Sequence, residues 1–411
     1  MSHLHLPRSL LDTDLYKLTM QQAVLRHFPN TRVSYKFTLR DKTAVFTQLA
    51  FRVFQETVDH FDQLVLTETE QAWLKQTCPY FSTEYLSYLR DYRFKPAEQV
   101  HIEFVPYATD GETGTIEIDI AGPWAETILW EVPLMACLSE IYFQYVATDW
   151  NYDGQQALAY EKGKALLQAD CVFSEFGIRR RRSFEAQDIV VEALVQASKD
   201  IPSKGKLSGT SNVHLAHKYD LTPIGTIAHE WFMGVAALRG YKNANSVAMD
   251  LWENVYHDSL LIALTDTFSS QVFFESFASD RERAVRWQGV RQDSGDPFVF
   301  GARAKAVWQS LGIEPSKKMI IYSDALDVEK ALRLKEQANE LELNVSFGIG
   351  TFFTNDFRKT ENEEKSSALN MVIKISSVDG LPCVKISDDL NKNTGTLETI
   401  QLVKKIYNLP S

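Results

Sequence analysis

Between about residues 170 and 355 the chain repeats one pattern. CVFSEFGI, LSGTSNV, TPIGTIAHE, LIALTDTF, QGVRQDSGDP, MIIYSDAL and NVSFGIGT each open apolar and close on Gly, Thr, Asp, Arg or His. Most are separated by segments with helical character. DVEKALRLKEQANELEL has a carboxylate-rich first turn, no Gly or Pro, and apolar Ala331, Leu334, Ala338 and Leu341 at helical intervals. DPFVFGARAKAVWQSLGIEP places Pro297 near a helix start and Gly312 at its end. Short apolar strands alternating with helices make parallel βα units, in a closed (β/α) barrel or an open doubly wound sheet. A barrel draws its site from the ends of many strands, an open sheet from one switch point. Polar chemistry closes all seven candidate strands, which favours the barrel. No G-x-G-x-x-G or G-x-x-x-x-G-K-[ST] follows any of them, which weakens dinucleotide and P-loop readings.

The flanks differ in texture. Residues 1–145 mix a helix-like LYKLTMQQAVLRHF with alternating VSYKFTL and TIEIDIAG, as an α+β unit does. Near the other end, MVIKISSV and PCVKIS are joined through Asp379–Gly380 and read as a β-hairpin. The expected division is a discontinuous domain from 1–145 and 360–411 around a barrel at 146–359. FRKTENEEKSSA is the longest low-complexity stretch. Apolar residues make up 45% of the 411, enough for a core of this size. Cys78, Cys137, Cys171 and Cys383 show no C-x-x-C spacing, so reduced, buried thiols are expected rather than zinc or disulfides. No leader and no membrane-length apolar run is seen, and a cytoplasmic protein is expected. Lys and Arg (43) are outnumbered by Asp and Glu (54), a net charge of −11 that disfavours nucleic acid or an anionic membrane as partner. Any anion must therefore be met by a local cluster.

FGIRRRRS supplies one, at a junction between an apolar strand and the helical SFEAQDIVVEALVQA. In a barrel, Arg179, Arg291, His229, Asp266, Asp293, Asp296 and Asp324 would converge on one mouth. Arginine forks suit phosphate and carboxylate, and carboxylates suit ribose hydroxyls or Mg2+. Gly348, Gly350 and Thr351 in GIGT resemble a late-strand phosphate loop. Together these point to a phosphorylated sugar handled with magnesium.

Eight ordered motifs, LLDTDLYKLTM, SEFGIRRRRS, GTSNV, GTIAHEW, GVRQDSGDP, YSDAL, SFGIGT and KISDDLNKN, closely resemble the nicotinate phosphoribosyltransferase family over about residues 9 to 395. The resemblance implies a type II phosphoribosyltransferase fold, an irregular (β/α) barrel with a discontinuous α/β-sandwich domain built from both chain ends. It implies the condensation of nicotinate with phosphoribosyl pyrophosphate, coupled to ATP, in NAD salvage. By the same resemblance His229 is the histidine that ATP phosphorylates, and Asp266 and Asp293 are carboxylates near ribose, pyrophosphate and metal. Asp296 joins Asp293 as a candidate for Mg2+. Tyr16 would stack on the pyridine ring, Arg291 would pair with the substrate carboxylate, and Thr226 would contact nicotinate. Arg179, Arg180, Asp324, Gly350 and Thr351 would hold the phosphoribosyl pyrophosphate. A monomer or homodimer is expected.

Ser211 stands in GTSNV where the nicotinamide-using sister enzymes carry an aspartate. A carboxylate there would repel nicotinate's own, so the acid is the expected substrate. Quinolinate would need a second cationic subsite. A barrel glycosidase or aldolase would leave the arginines unexplained and lacks a strand-end lysine suited to a Schiff base, and a non-catalytic relative would have no need of His229, Arg291 and Asp293 together. Successive residues at a strand–helix junction point in different directions, so four arginines cannot line one pocket. Arg179, then Arg180, are expected on the substrate; Arg181 and Arg182 are expected to pair with acidic neighbours on the helix side.

Overall fold

The computed structural model describes residues 4–41, 43–107, 111–389 and 393–410. The alternating segments of the first third form β1 (Arg32–Leu39), β2 (Phe46–Thr47), β3 (Val100–Pro106) and β4 (Thr113–Pro123). In β4 the period of two buries Ile116, Ile118 and Ile120 on one face and leaves Glu117 and Asp119 in water. The apolar repeats then give six parallel strands: β5 (Val172–Glu175), β6 (Lys206–Thr210), β7 (Ile262–Leu264), β8 (Gly289–Gln292), β9 (Met319–Tyr322) and β10 (Asn344–Ile349). A small hairpin, β11 (Phe357–Arg358) and β12 (Lys365–Ser366), replaces the expected low-complexity stretch, and β13 (Met371–Val378) and β14 (Leu381–Pro382) follow.

The chain ends meet in one antiparallel sheet. Its order is β14-β13-β1-β4-β2, with β3 also on β4, so β13 from the C-terminal part lies between β14 and the strand at 32–39. The register pairs Tyr35 with Ile375 and Phe37 with Ile373. Asp379 and Gly380 both take positive φ, as a tight hairpin turn requires. The hairpin is shorter than its sequence suggests. After Pro382 the chain leaves the sheet, and Ile386 instead bridges Phe268, just beyond β7.

The parallel strands run in the order β6-β5-β10-β9-β8-β7, an irregular barrel whose ladder ends at β6 and β7. Of the seven expected strands, TPIGTIAHE makes only a bridge between Thr210 and Pro223. Pro223 has no N–H to donate to a ladder, so the segment stays extended beside β6 without becoming a strand. Two glycines let it lie close. A Cβ on Gly209 would stand 1.9 Å from the Thr222 carbonyl oxygen, and one on Gly225 would stand 3.0 Å from the Tyr16 nitrogen. The segment thus passes between β6 and the helix Leu15–His27 and delivers His229 to the first position of the helix His229–Arg239. That helix is anchored by Trp231, which is fully buried among Trp124, Trp252 and Phe28.

Helices Phe184–Asp200, Pro297–Ser310 and Val328–Glu340 start where the sequence supplies an oxygen cap, at Ser183, Asp296 and Asp327. All four cysteines are free and buried. Among the described residues no helix is long and apolar enough to cross a membrane.

Candidate active site

The ends of β7 and β8 and the start of the His229 helix bring three titratable side chains together. His229 Nδ1 lies 3.0 Å from Thr267 Oγ1, and its Nε2 lies 3.0 Å from Asp293 Oδ2. Asp266 approaches the same Nε2 at 3.7 Å. Asp293 Oδ1 accepts from Arg291 Nη2 at 2.7 Å and lies 2.8 Å from Ser323 Oγ, which itself accepts from Arg291 Nε. Arg291 is therefore held by two partners from adjacent strand ends.

A further cation completes the group. Lys385, from the segment that left the hairpin, places Nζ 3.0 Å from both His229 Nε2 and Asp266 Oδ2. Lys385 is the first lysine of KISDDLNKN, and the sequence assigns it no role; residues 390–392 of that motif lie outside the described residues. The available signal was a lysine framed by apolar neighbours, V-K-I, in a segment that reads as a strand, and Lys374 in I-K-I shows it too. Lys374 and Lys385 both line the cleft of about 100 Å³ that also contains Tyr16, Arg179 and His229. A larger cavity of about 660 Å³, beside Asn243, Ser276 and Arg283, shares no residue with this cluster and carries none of its chemistry.

The electrostatics fit a nucleophilic imidazole. Burial, then the Lys385 ammonium, push the His229 pKa down against the pull of Asp266 and Asp293, so the ring is neutral near pH 7. Burial opposes ionisation of Asp293, yet Arg291 and His229 outweigh it and hold the carboxyl well below its ordinary value. Asp266 is lowered in the same sense: burial opposes, His229 and Lys385 prevail. Burial, then Lys385 and Arg40, bring Lys374 down to about 8. No side chain caps the His229 helix, whose N-terminal dipole faces this cluster.

Two sequence models match in tandem: the nicotinate phosphoribosyltransferase N-terminal domain over residues 11–139 and the nicotinate phosphoribosyltransferase family over residues 171–411. The chain belongs to the nicotinate phosphoribosyltransferase family. It is 42% identical over 417 residues to the nicotinate phosphoribosyltransferase of Methanosarcina acetivorans, covering 97% of this chain and 98% of that one. Its fold matches a crystal structure of a Saccharomyces cerevisiae protein with a TM-score of 0.96 at 40% identity, covering 99% of this chain and 100% of the other. The nicotinate phosphoribosyltransferase of Vibrio cholerae matches with a TM-score of 0.90 at 33% identity, over 99% and 95% of the two chains. This is an enzyme of NAD salvage.

The other expected site residues of this nicotinate phosphoribosyltransferase fall into three groups. Tyr16 and Arg179 both line the cleft, and burial pushes the Tyr16 phenol well above its ordinary value, so it stands there as a neutral ring. Arg179 Nη1 is 3.5 Å from Glu131 Oε1, and 43% of its side chain is open. Ser211 and Asp14 stand at the junction of β6 and the Tyr16 helix, where Leu15 donates its N–H to the Ser211 carbonyl. Ser211 Oγ and Asp14 Oδ1 are buried without a protein partner. Thr226 sits on the extended segment, its carbonyl accepting from Thr19 Oγ1 at 2.8 Å.

Asp324 follows β9, and Gly350 and Thr351 follow β10, where a Cβ on Gly350 would meet the Phe176 carbonyl at 3.1 Å. Arg180 sets both Nε and Nη2 on the Met371 carbonyl of β13, a bond between barrel and sheet. Asp296 is exposed and caps the helix Pro297–Ser310 through Phe298 N–H. The carboxylates that gather with His229 are Asp266 and Asp293, with ligand atoms within 4.8 Å of one another.

The last two arginines depart from the expectation of helix-side acids. Arg181 reaches back to the N-terminal segment and forms a bidentate pair with Asp12, at 2.7 and 2.9 Å. Among the described residues Arg182 meets no carboxylate: it donates to Ser366 Oγ and the Ser366 carbonyl, inside a cage of Phe143, Phe357 and Trp150. The hairpin at 357–366 fills the space beside it, so the partner comes from about 180 residues away rather than from the next helix.

Proposed function

We propose that this enzyme couples ATP hydrolysis to the transfer through a phosphohistidine at His229. The observation that carries the reading is a neutral imidazole with Thr267 against Nδ1 and both the Asp293 carboxylate and the Lys385 ammonium against Nε2. In the tautomer that bonds Asp293 the proton is on Nε2; when it sits instead on Nδ1, with Thr267 accepting, Nε2 is faced by Lys385 rather than bonded to Asp293 and carries the lone pair that attacks the γ-phosphorus of ATP. The N–P bond forms, the bond to the β-phosphate oxygen breaks, and ADP leaves. The Lys385 ammonium and the N-terminus of the His229 helix stabilise the added phosphoryl charge. Water later cleaves the N–P bond to give phosphate.

In the transfer itself the pyridine nitrogen of nicotinate attacks C1 of phosphoribosyl pyrophosphate, and the bond from C1 to the pyrophosphate oxygen breaks. Tyr16 stacks on the ring, Thr226 and Ser211 border it, and Arg291 receives the carboxylate, a charge-assisted contact worth roughly 1.5–3 kcal/mol. Ser211 adds no charge to this pocket, which favours nicotinate over nicotinamide. Arg179 is the principal ligand for the sugar phosphate groups, joined by Asp324, Gly350 and Thr351, with Arg180 behind it. Catalysis is then mainly positioning and charge stabilisation, with Asp266 and Asp293 facing the positive charge that develops on the ribose.

The donor set fits Mg2+. Asp266 Oδ1 is buried without a hydrogen-bond partner and stands near Asp293, two hard oxygen ligands of the kind magnesium uses alongside substrate phosphates. Asp266 and Asp293 would hold the ion, with Asp296 the more remote candidate, and the ion would neutralise charge on pyrophosphate.

Replacing His229 with Asn tests the reading. ATP hydrolysis and the stimulation of nicotinate mononucleotide formation by ATP should both disappear while a slow uncoupled transfer persists. Survival of both ATP-dependent signals would remove the phosphohistidine.

A further inference from the structure

A chain of alternating charges runs along the wall of the cleft into the interior. Lys17 is completely buried, and its ammonium lies 2.5 Å from both Glu131 Oε2 and Glu230 Oε2. Glu230 Oε1 accepts from Tyr35 Oη at 2.6 Å and from Trp124 Nε1 at 2.8 Å. Glu131 turns its other oxygen towards Arg179. Each link adjoins the site: Lys17 follows Tyr16, Glu230 follows His229, and Glu131 faces Arg179.

Two carboxylates share one ammonium, so Lys17, Glu131 and Glu230 together carry one negative charge, and Arg179 is the cation that balances it. The distances are unequal, 2.5 Å to Lys17 and 3.5 Å to Arg179. Lys17 is the nearer cation but is shared equally with Glu230, so Glu131 is only partly neutralised by it. What remains is a short-range hold on one guanidinium nitrogen. A bidentate partner such as Asp12 on Arg181 ties up the fork; Glu131 touches only one edge and leaves 43% of the Arg179 side chain open to the cleft.

We propose that Glu131 is a positioning residue for the transfer: buffered by Lys17, it aims Arg179 at the phosphate groups of the phosphoribosyl donor without occupying the donors that bind them. The inference rests on the reading of Arg179 as a ligand of that substrate. Through Lys17 and Glu230 the same ion chain fixes the registry of Arg179 with Tyr16 and His229.

The experiment is a double-mutant cycle on the full chain. Glu131→Gln keeps the volume and an oxygen for Lys17 but removes the charge. It should raise the KM for phosphoribosyl pyrophosphate roughly tenfold while the KM for nicotinate and kcat stay within about twofold. Arg179→Ala should raise the same KM at least as far, and E131Q added to R179A should change it no further. An unchanged KM in R179A would overturn the role of Arg179 and with it the inference. A raised KM in R179A with none in E131Q would overturn the inference alone. A lower KM in E131Q would show a repelling charge rather than an aiming one, and parallel rises for both substrates would show general disruption; either result sinks the proposal. Should E131Q fail to fold, Glu131→Asp, which keeps the charge but shortens its reach, carries the same selective rise at smaller size, and its absence counts equally against the proposal.

Discussion

Arg179 and Arg182 are three residues apart in one run, yet they live in different solvents. Arg179 is touched at one edge by Glu131 and is 43% open. Arg182 is wholly buried, bonded to Ser366 and enclosed by three aromatic rings. Arg181, between them, has both Nη atoms bonded, to Asp12 and Gln187, while its buried Nε has no partner. The difference shows how one basic stretch serves two ends. A charge that must meet a ligand keeps its fork free and water nearby, whereas a charge that holds the fold is stripped of water and has both Nη atoms bonded within the protein, even where its Nε stays unpaired.

The comparison breaks hardest at Arg181. Its partner Asp12 is fully buried and also accepts from Asn212, while Gln187 continues the network to Glu175 and Thr210. Arg181→Met would strand a buried carboxylate, and removal of one member of such a pair costs about 3–5 kcal/mol. Urea denaturation of the purified variant should show a loss of that size. A variant within about 1 kcal/mol of the parent would mean that the network is dispensable.

Arg182→Met should cost less. The thioether fits an aromatic cage and no carboxylate is stranded, so the loss is two hydrogen bonds to Ser366 and the cation–π contacts, about 1–3 kcal/mol in all. The KM for phosphoribosyl pyrophosphate should stay within about twofold, because the side chain has no path to the cleft. A selective rise in that KM would erase the distinction from Arg179.

The sequence carried the barrel and the site unevenly, for reasons that can be located. Six of the seven apolar segments form strands, since a buried parallel strand needs little beyond β-branched and apolar residues. The seventh contains Pro223 and makes a single bridge. Arg291, Asp266 and Asp293 were legible because strand ends in a barrel share one mouth, and His229 joins them because its extended segment runs beside β6 to the same end. Lys385 was not, because the hairpin that seemed to hold it separates after Pro382 and the lysine is delivered by a crossing segment. Arg182 was misread for a related cause: its neighbour in space is a hairpin whose sequence looked featureless. The Lys17–Glu131–Glu230 chain joins residues more than 100 positions apart, and no local pattern marks it.

The smallest effect separates the two buried arginines by acidity. Burial raises the Asp12 pKa, but Arg181 outweighs it and the net value lies below 3.8 in the folded chain. A depressed carboxylate contributes stability that is fully present above the unfolded pKa and is lost as pH falls through the folded one. In R181M burial acts unopposed by that guanidinium, so the Asp12 pKa moves up and the sign reverses: the variant gains relative stability as the carboxyl takes up a proton. The stability gap between parent and R181M should therefore narrow from pH 7 towards pH 4. Other carboxylates titrate alike in both proteins and cancel in the difference. Among the described residues Arg182 has no acid partner, so the gap between parent and R182M should stay level over the same range. Denaturation curves at pH 7, 5.5 and 4 distinguish the cases, and a gap that narrows equally for both variants would mean that the Asp12 pair is not what sets Arg181 apart.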